Sequence, residues 1–415
     1  MNSITTNQMF LYNLFISLYQ FGILIASVAN SKASKWVAGR KNLLQRIESE
    51  VGGEENLIWM HCASLGEFEQ GRPIIERLKQ REPEVKVLIT FFSPSGYEVR
   101  KDYEHASYVY YLPQDSKANA RRFLEIVQPR MAIFVKYEYW LHYLNQLKQA
   151  QIPTFLISAR FREDQVFFKW YGGVFRKAIA ALNKVFVQDE ISKKLAESIG
   201  LTNTVIGGDT RYDRVSETVR DVVEVDGLAD FVKDETVFIG GSIWPIDEQF
   251  ILPYINVAAE KLKFILAPHE VNDKHITDIE KSLDVPYIKY SEIADGDVSS
   301  ARVLIIDNIG MLSNLYQYGH IAYVGGGFTG ALHNILEPAA FGMPVIYGPK
   351  FDKFPEADAL IEVGGGFSII DGLDFVQRMS FLSDPFVVKI AAAVSRKFVK
   401  DQVGASDVIV DSILK

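Results

Sequence analysis

From residue 57 onward, short apolar runs alternate with stretches of helix length, and this rhythm occurs twice along the chain. The first series is Leu57–Met60, Val85–Thr90, Met131–Val135, Thr154–Ile157, Lys184–Val187 and Thr204–Ile206, with Glu69–Gln80 and Ala118–Val127 among the helical stretches. The second is Thr236–Ile239, Phe264–Leu266, Pro286–Lys289, Val303–Ile306, Ile321–Val324 and Val345–Tyr347. A run that is apolar at nearly every position suits a strand buried on both faces, and parallel neighbours need helical crossovers. The fold class predicted is α/β, with two facing Rossmann-like, doubly wound domains. The acidic segment from about 215 to 234 breaks the rhythm between them. A chain of 415 residues is also too long for one ordinary core. The expected division is 1–37 (anchor and basic flank), 38–220, 221–390, and 391–415 as a terminal helix packing back on the first domain. In such sheets ligands sit beyond the carboxyl ends of the strands, and facing domains make the cleft the default site.

The net charge of −8 argues against a nucleic-acid partner, because proteins that track phosphate backbones are basic. Cys62 is the one cysteine, which excludes an intrachain disulfide and a Cys-x-x-Cys metal site. No charged side chain precedes Lys32, and Met9–Ala29 offers 21 mostly apolar positions. That is about the length needed to cross a hydrocarbon core of ~30 Å. Lys32, Lys35, Arg40, Lys41 and Arg46 follow, which puts the remainder on the cytoplasmic side. A cleaved signal peptide would need a positive segment ahead of the apolar run. Asn13 and Gln20 interrupt the run, so a helix lying in the interface is the alternative to a span.

The polar residues that invite chemistry stand at strand ends. After Leu57–Met60 comes His61-Cys-Ala-Ser64-Leu-Gly66-Glu67-Phe-Glu69. Ser64 with Glu67 fits a capping box. The functional reading makes Glu67 a general base, with Glu69 a like charge nearby although i,i+2 side chains diverge on a helix. Lys136 and Glu138 follow Met131–Val135, Arg160 follows Thr154–Ile157, and Arg211 follows Thr204–Ile206, so three cations would ring an anionic ligand. After Ile321–Val324, Gly325, Gly326, Gly327 and Gly330 lead into His333-Asn334-Ile335-Leu336-Glu337-Pro338. Glycines admit a ligand close to the backbone, helix-start N–H groups attract phosphate, and Glu337 suits a ribose hydroxyl pair. An ordinary crossover with glycines for tight turns is the plainer alternative.

Phe167–Lys177 interleaves aromatic with basic residues, as either a core-facing helix or an interfacial segment would. Asp295-Gly296-Asp297 reads as a turn in a polar loop, and the histidines lack metal-ligand spacing, so no metal is implied.

Taken in order, these segments resemble the 3-deoxy-D-manno-octulosonic acid (Kdo) transferase family. The residues that carry the likeness are Ser64-Leu-Gly66-Glu67, Thr90-Phe-Phe-Ser-Pro94-Ser-Gly96, Glu138-Tyr-Trp140, Ser158-Ala-Arg160, Gly208-Asp-Thr-Arg211-Tyr-Asp213, Tyr323-Val-Gly325-Gly326 and His333-Asn334-Ile335-Leu336-Glu337-Pro338. The resemblance implies a GT-B type glycosyltransferase at the cytoplasmic face of the cell inner membrane. It would move Kdo from CMP-Kdo to the lipid A precursor (lipid IVA), inverting the sugar, with no cofactor and no metal. It makes Glu67 the base and Glu138 with Arg211 the pair that stabilises the transition state. Asn334, Ile335, Leu336 and Glu337 would hold CMP, with Pro268, His269, Ile309, Gly310 and Met311 as further contacts. The chain departs from the family where Lys136 replaces a common acidic residue, where Arg211 replaces a common lysine, and where Ala267-Pro268-His269 lacks an arginine. The alternatives are a membrane-associated lipid glycosyltransferase using another nucleotide sugar, a sugar-nucleotide epimerase of the same architecture, and a catalytically silent nucleotide-binding scaffold.

Overall fold

The computed structural model describes residues 3–415 other than Asp234, Glu260, Asp295 and Asp297, with side chains from Asn7 onward. The reading of Asp295 and Asp297 as a turn therefore falls outside the described residues. Two compact units emerge, one running up to Arg214 and including Gly404–Lys415, the other Val215–Val403.

In the first unit, seven strands form a parallel sheet: β1 (Leu57–Cys62), β2 (Lys86–Phe91), β3 (Tyr108–Tyr111), β4 (Met131–Val135), β5 (Thr154–Ala159), β6 (Lys184–Val187) and β7 (Thr204–Ile206). Their order is β3-β2-β1-β4-β5-β6-β7. All six residues of β1 and all five of β4 are buried, as expected of central strands covered on both faces. On one face Trp59 packs with Phe123, Phe134 and Tyr143; on the other, Met60 and Ile133 meet Phe68.

The second unit repeats the plan with β8 (Thr236–Ile243), β9 (Leu262–Pro268), β10 (Tyr287–Lys289), β11 (Val303–Ile305), β12 (Ile321–Val324), β13 (Val345–Tyr347) and β14 (Gly366–Ser368). Here the order is β10-β11-β9-β8-β12-β13-β14, again parallel throughout. The α/β class is as expected from the apolar runs, and β3 and β14 are strands the periodicity did not single out.

Helix α1 (Ser3–Ala26) is long and apolar enough over Asn7–Ala26 to cross a membrane. It nevertheless lies against the first unit. Gln8 donates to the Tyr171 carbonyl, Tyr12 to Asp115 at 2.5 Å, and Asn13 pairs with His142 at 2.7 Å. Phe10, Leu11, Leu14, Leu18, Phe21 and Ile25 stay exposed on the other side. Arg40 is no solvated flanking charge. Its guanidinium sits 3.9 Å over Trp36 and donates to the carbonyls of Phe92 and Leu112, and burial pulls its pKa down to about 9.

The single helix expected near the C-terminus is two. Helix α2 (Pro385–Lys400) stays with the second unit, where Arg396 donates to the Phe341 carbonyl. Gly404, with φ +121, turns the chain into α3 (Ala405–Ile413), which buries Ile409 and Val410 in the first core. The change of unit thus falls between Val403 and Gly404 rather than at 390/391, and the other boundary at 214/215 rather than 220/221.

Candidate active site

In the first sheet β1 and β4 are neighbours, and the crossovers that follow them run to opposite sides. A crevice opens at such a switch point, beyond the carboxyl ends of the two strands. Both candidate carboxylates stand there. Glu67 lies in the first turn of the helix Leu65–Arg81, half-buried. Ser64 is the N-cap by position, yet its hydroxyl makes no cap to the backbone; it donates to the Glu67 carboxylate instead. The capping-box reading is therefore not realised. Glu69 is engaged elsewhere, by Arg100 at 2.7 Å and Arg214 at 3.4 Å. Beneath this turn the buried Cys62 thiol is pushed well up by desolvation and by the carboxylates of Glu67, Glu138 and Glu69.

Glu138 follows β4 and is 7% exposed. Its Oε2 lies 3.1 Å from His61 Nε2 and accepts from Trp140 Nε1 at 2.5 Å. Just before it, Lys136 holds φ +68, a left-handed conformation that non-glycine residues adopt mainly where surrounding structure enforces it. A cavity of about 240 Å³ lies beyond β1–β4, walled by Phe15 and Tyr19 of α1, by Trp36 and by Phe92, with Glu138 and Trp140 on its lining.

Arg160 follows β5 directly and is half-buried. Arg211 opens the helix Thr210–Arg220 and engages both oxygens of Asp209, through Nε to Oδ1 at 3.2 Å and Nη2 to Oδ2 at 2.7 Å. The same turn is tied to the Glu67 helix, because Thr210 donates to the Gln70 carbonyl at 2.7 Å. Ser158 meets Thr210 at 3.2 Å; it is buried with φ +53, at the bulge where β5 shifts register against β6.

In the second unit the reversal of strand order falls between β8 and β12. Trp244, after β8, stacks on His269, after β9, at 4.4 Å and 8°. His269 in turn lies 4.7 Å from His333, whose pKa burial and His269 lower to about 4. The glycines before His333 serve close packing. A side chain at Gly325 would meet the Ser242 carbonyl, one at Gly326 (φ +88) the Ala331 carbonyl, and one at Gly327 the Gly348 backbone. That is the plainer of the two expectations for Gly325–Gly327. Gly310 (φ +100) and Gly330 (φ +77), by contrast, border open space.

Glu337 is braced on both oxygens, by Asn334 Nδ2 at 3.0 Å and Ser313 Oγ at 2.9 Å. Asn334 also accepts from the Leu336 N–H at 3.1 Å. Ile335 and Leu336 are buried, at 1% and 0% exposure, so their side chains belong to the core and only backbone atoms remain for a ligand. Pro268, His269 and the Ile309–Met311 loop share the carboxyl end of this sheet. Trp244 and Ser313 are the partners that sequence reasoning missed. Their signal was position, one just past a strand and the other beside Met311.

A family profile described as 3-Deoxy-D-manno-octulosonic-acid transferase (kdotransferase) matches residues 39–214. Similar curated proteins carry the same activity in their names. The 3-deoxy-D-manno-octulosonic acid transferase of Haemophilus influenzae is 29% identical over 77% of this chain and 77% of its own. That of Aquifex aeolicus is 28% identical over 78% and 85%. The chain is thus similar to Kdo transferases, by the family profile over its first unit and by these relatives over most of its length. It is accordingly an enzyme, a glycosyltransferase. Solved structures echo the fold alone. UDP-GlcNAc 2-epimerase from Neisseria meningitidis aligns with TM-score 0.63 at 17% identity over 86% of this chain and 99% of its own. MurG from Acinetobacter baumannii aligns with TM-score 0.54 at 13% identity over 87% and 99%. The architecture is GT-B-like.

Proposed function

We propose that the chain transfers Kdo from CMP-Kdo to a hydroxyl of a lipid A precursor (lipid IVA), inverting the sugar and using no metal. The observation that carries the reading is the setting of Glu67. It is a carboxylate at a switch point, held by Ser64, in a unit whose same sheet edge also borders an apolar cavity. An acceptor with a sugar hydroxyl and acyl chains asks for both features.

Glu67 takes the proton of the acceptor hydroxyl as its oxygen attacks the anomeric carbon from the side opposite the leaving CMP. Positive charge develops on the donor ring, and negative charge on the departing phosphate. Glu138 meets the first, while Arg211, Lys136 and Arg160 meet the phosphate and the donor's carboxylate. A single phosphate leaving with cytidine needs only a few such charges, so no metal is required. In the second unit, the braced Glu337 takes the ribose hydroxyls, with Asn334, Pro268, His269 and the Ile309–Met311 loop around CMP.

The enzyme works at the inner membrane with both units on the cytoplasmic side. The polar contacts of Gln8, Tyr12 and Asn13 favour an α1 that lies in the interface over one that crosses it. Trp170, 90% exposed beside Tyr171, extends the apolar rim.

The test is incubation with CMP-Kdo generated in place and a tetraacyl lipid A precursor, with and without chelator, followed by mass spectrometry of the lipid. Addition of Kdo mass, unchanged by chelator, is expected. Transfer only from another nucleotide sugar overturns the donor; equal use of a deacylated acceptor overturns the lipid requirement.

A further inference from the structure

We infer that His61 is a positioning residue for the transfer reaction, fixing the Glu138 carboxylate through a chain of donors that starts at Trp59. The inference rests on the role proposed above for Glu138. His61, the fifth residue of β1, has no exposed surface. Its Nδ1 lies 2.9 Å from both the carbonyl and the hydroxyl of Thr90, its partner across the sheet. Its Nε2 lies 3.1 Å from Glu138 Oε2. Behind it, Trp59 Nε1 donates to the same Thr90 hydroxyl at 2.8 Å.

The surrounding donors and acceptors bear on where the ring proton sits. An indole N–H only donates, so the Thr90 oxygen is the acceptor for Trp59. The Thr90 hydroxyl proton is then available to Nδ1, and the inferred position of the imidazole proton is Nε2, aimed at Glu138. The opposite tautomer would set a bare Nε2 lone pair against a carboxylate oxygen, a full charge. The tautomer assigned here sets the Nδ1 lone pair against the Thr90 carbonyl, only a dipole, so the first is the costlier. Trp140 Nε1 is 2.9 Å from Nε2 but 2.5 Å from Oε2, and it supplies the second donor to that oxygen. Two donors thus converge on Oε2, and among the described residues none reaches Oε1. The carboxylate is fixed by one oxygen and offers the other to the reaction.

A residue that merely filled space would also be buried, so the experiment must read its action through Glu138. His61→Phe removes the donor while filling the site. It is expected to lower kcat by about 10- to 100-fold, the scale of one lost hydrogen bond to a charged group, with KM for both substrates changed much less. His61→Gln, which can present an amide N–H to Glu138, should recover most of the loss. Glu138→Gln should be slow, and the double variant His61→Phe, Glu138→Gln no slower than Glu138→Gln alone. In the wild type, 15N shifts of a selectively labelled His61 should report a protonated Nε2, a measurement that does not depend on any variant folding. A slow Glu138→Gln with a fast His61→Phe, additive losses in the double variant, or a bare Nε2 overturns the inference and leaves the role of Glu138 standing. Wild-type turnover in Glu138→Gln removes that role itself.

Discussion

Asp213 belongs to the same short motif as Arg211, yet the structure gives it a different task, and Asp213→Ala separates the two. The carboxylate is 4% exposed and accepts three hydrogen bonds from the start of α3: Gly404 N at 2.6 Å, Ser406 N at 2.7 Å and Ser406 Oγ at 2.6 Å. Hydrogen bonds to a charged group contribute roughly 1.5–3 kcal/mol each. They are not additive when they share one acceptor, and water can reach part of the vacated site, so a loss of about 3–5 kcal/mol is expected. For a unit of this size each kcal/mol moves Tm by about 2–4 °C, which predicts a fall of roughly 6–20 °C. The assay is calorimetry of the full-length protein, following the transition of the first unit with that of the second as internal reference. Ser406→Ala removes one of the three bonds and should cost about 1–1.5 kcal/mol. A shift below ~2 °C in Asp213→Ala, or an equal shift of both transitions, would refute the idea that this carboxylate ties the C-terminal helix to the first unit.

Glu67→Gln keeps an acceptor for Ser64 and should slow turnover by at least ~10²-fold at saturating substrates with Tm nearly unchanged; wild-type turnover would remove Glu67 as base. Because the Ser64 hydroxyl meets Glu67 and not the backbone, Ser64→Ala should alter turnover more than stability, and a melt lowered without a kinetic change would restore the cap. Glu337→Ala should weaken CMP binding by about 1.5–3 kcal/mol in calorimetric titration, and intact affinity with a lowered apo melt would make Glu337 structural. His333 is held at about 4 by burial and His269, below the usual histidine value. Between those two pH values the unfolded chain binds a proton that the folded one does not, so stability should fall as pH drops from about 6.5 toward 4. His333→Asn should flatten that slope in pH-dependent melts, and an unchanged slope would assign it to other groups.

The strands were legible where burial on both faces left an unbroken apolar run, as in β1 and β4. Tyr108–Tyr111 and Gly366–Ser368 were not, because they are short edge strands that are only partly buried and carry polar atoms. Glu67, Glu138 and Glu337 could be picked out because strand ends are where this architecture exposes polar groups. Their partners could not. His61 meets Glu138 across 77 positions and Ser313 meets Glu337 across 24, pairings that exist only once the sheets form. Ser64 shows the converse failure, where a local pattern suited a cap but a tertiary setting turned the hydroxyl elsewhere. The break at Gly404 was hidden because amphipathic periodicity continues on both sides of it.

Burial leaves the thiol of Cys62 both inaccessible and protonated at neutral pH, and thiol-directed reagents need an accessible thiolate. The native sequence is thus already a silent background for maleimide and spin-label chemistry. A cysteine introduced at Phe10, Leu18 or Trp170 would be the sole reactive handle, and its mobility and oxygen accessibility in vesicles would test, residue by residue, whether this face meets lipid and at what depth.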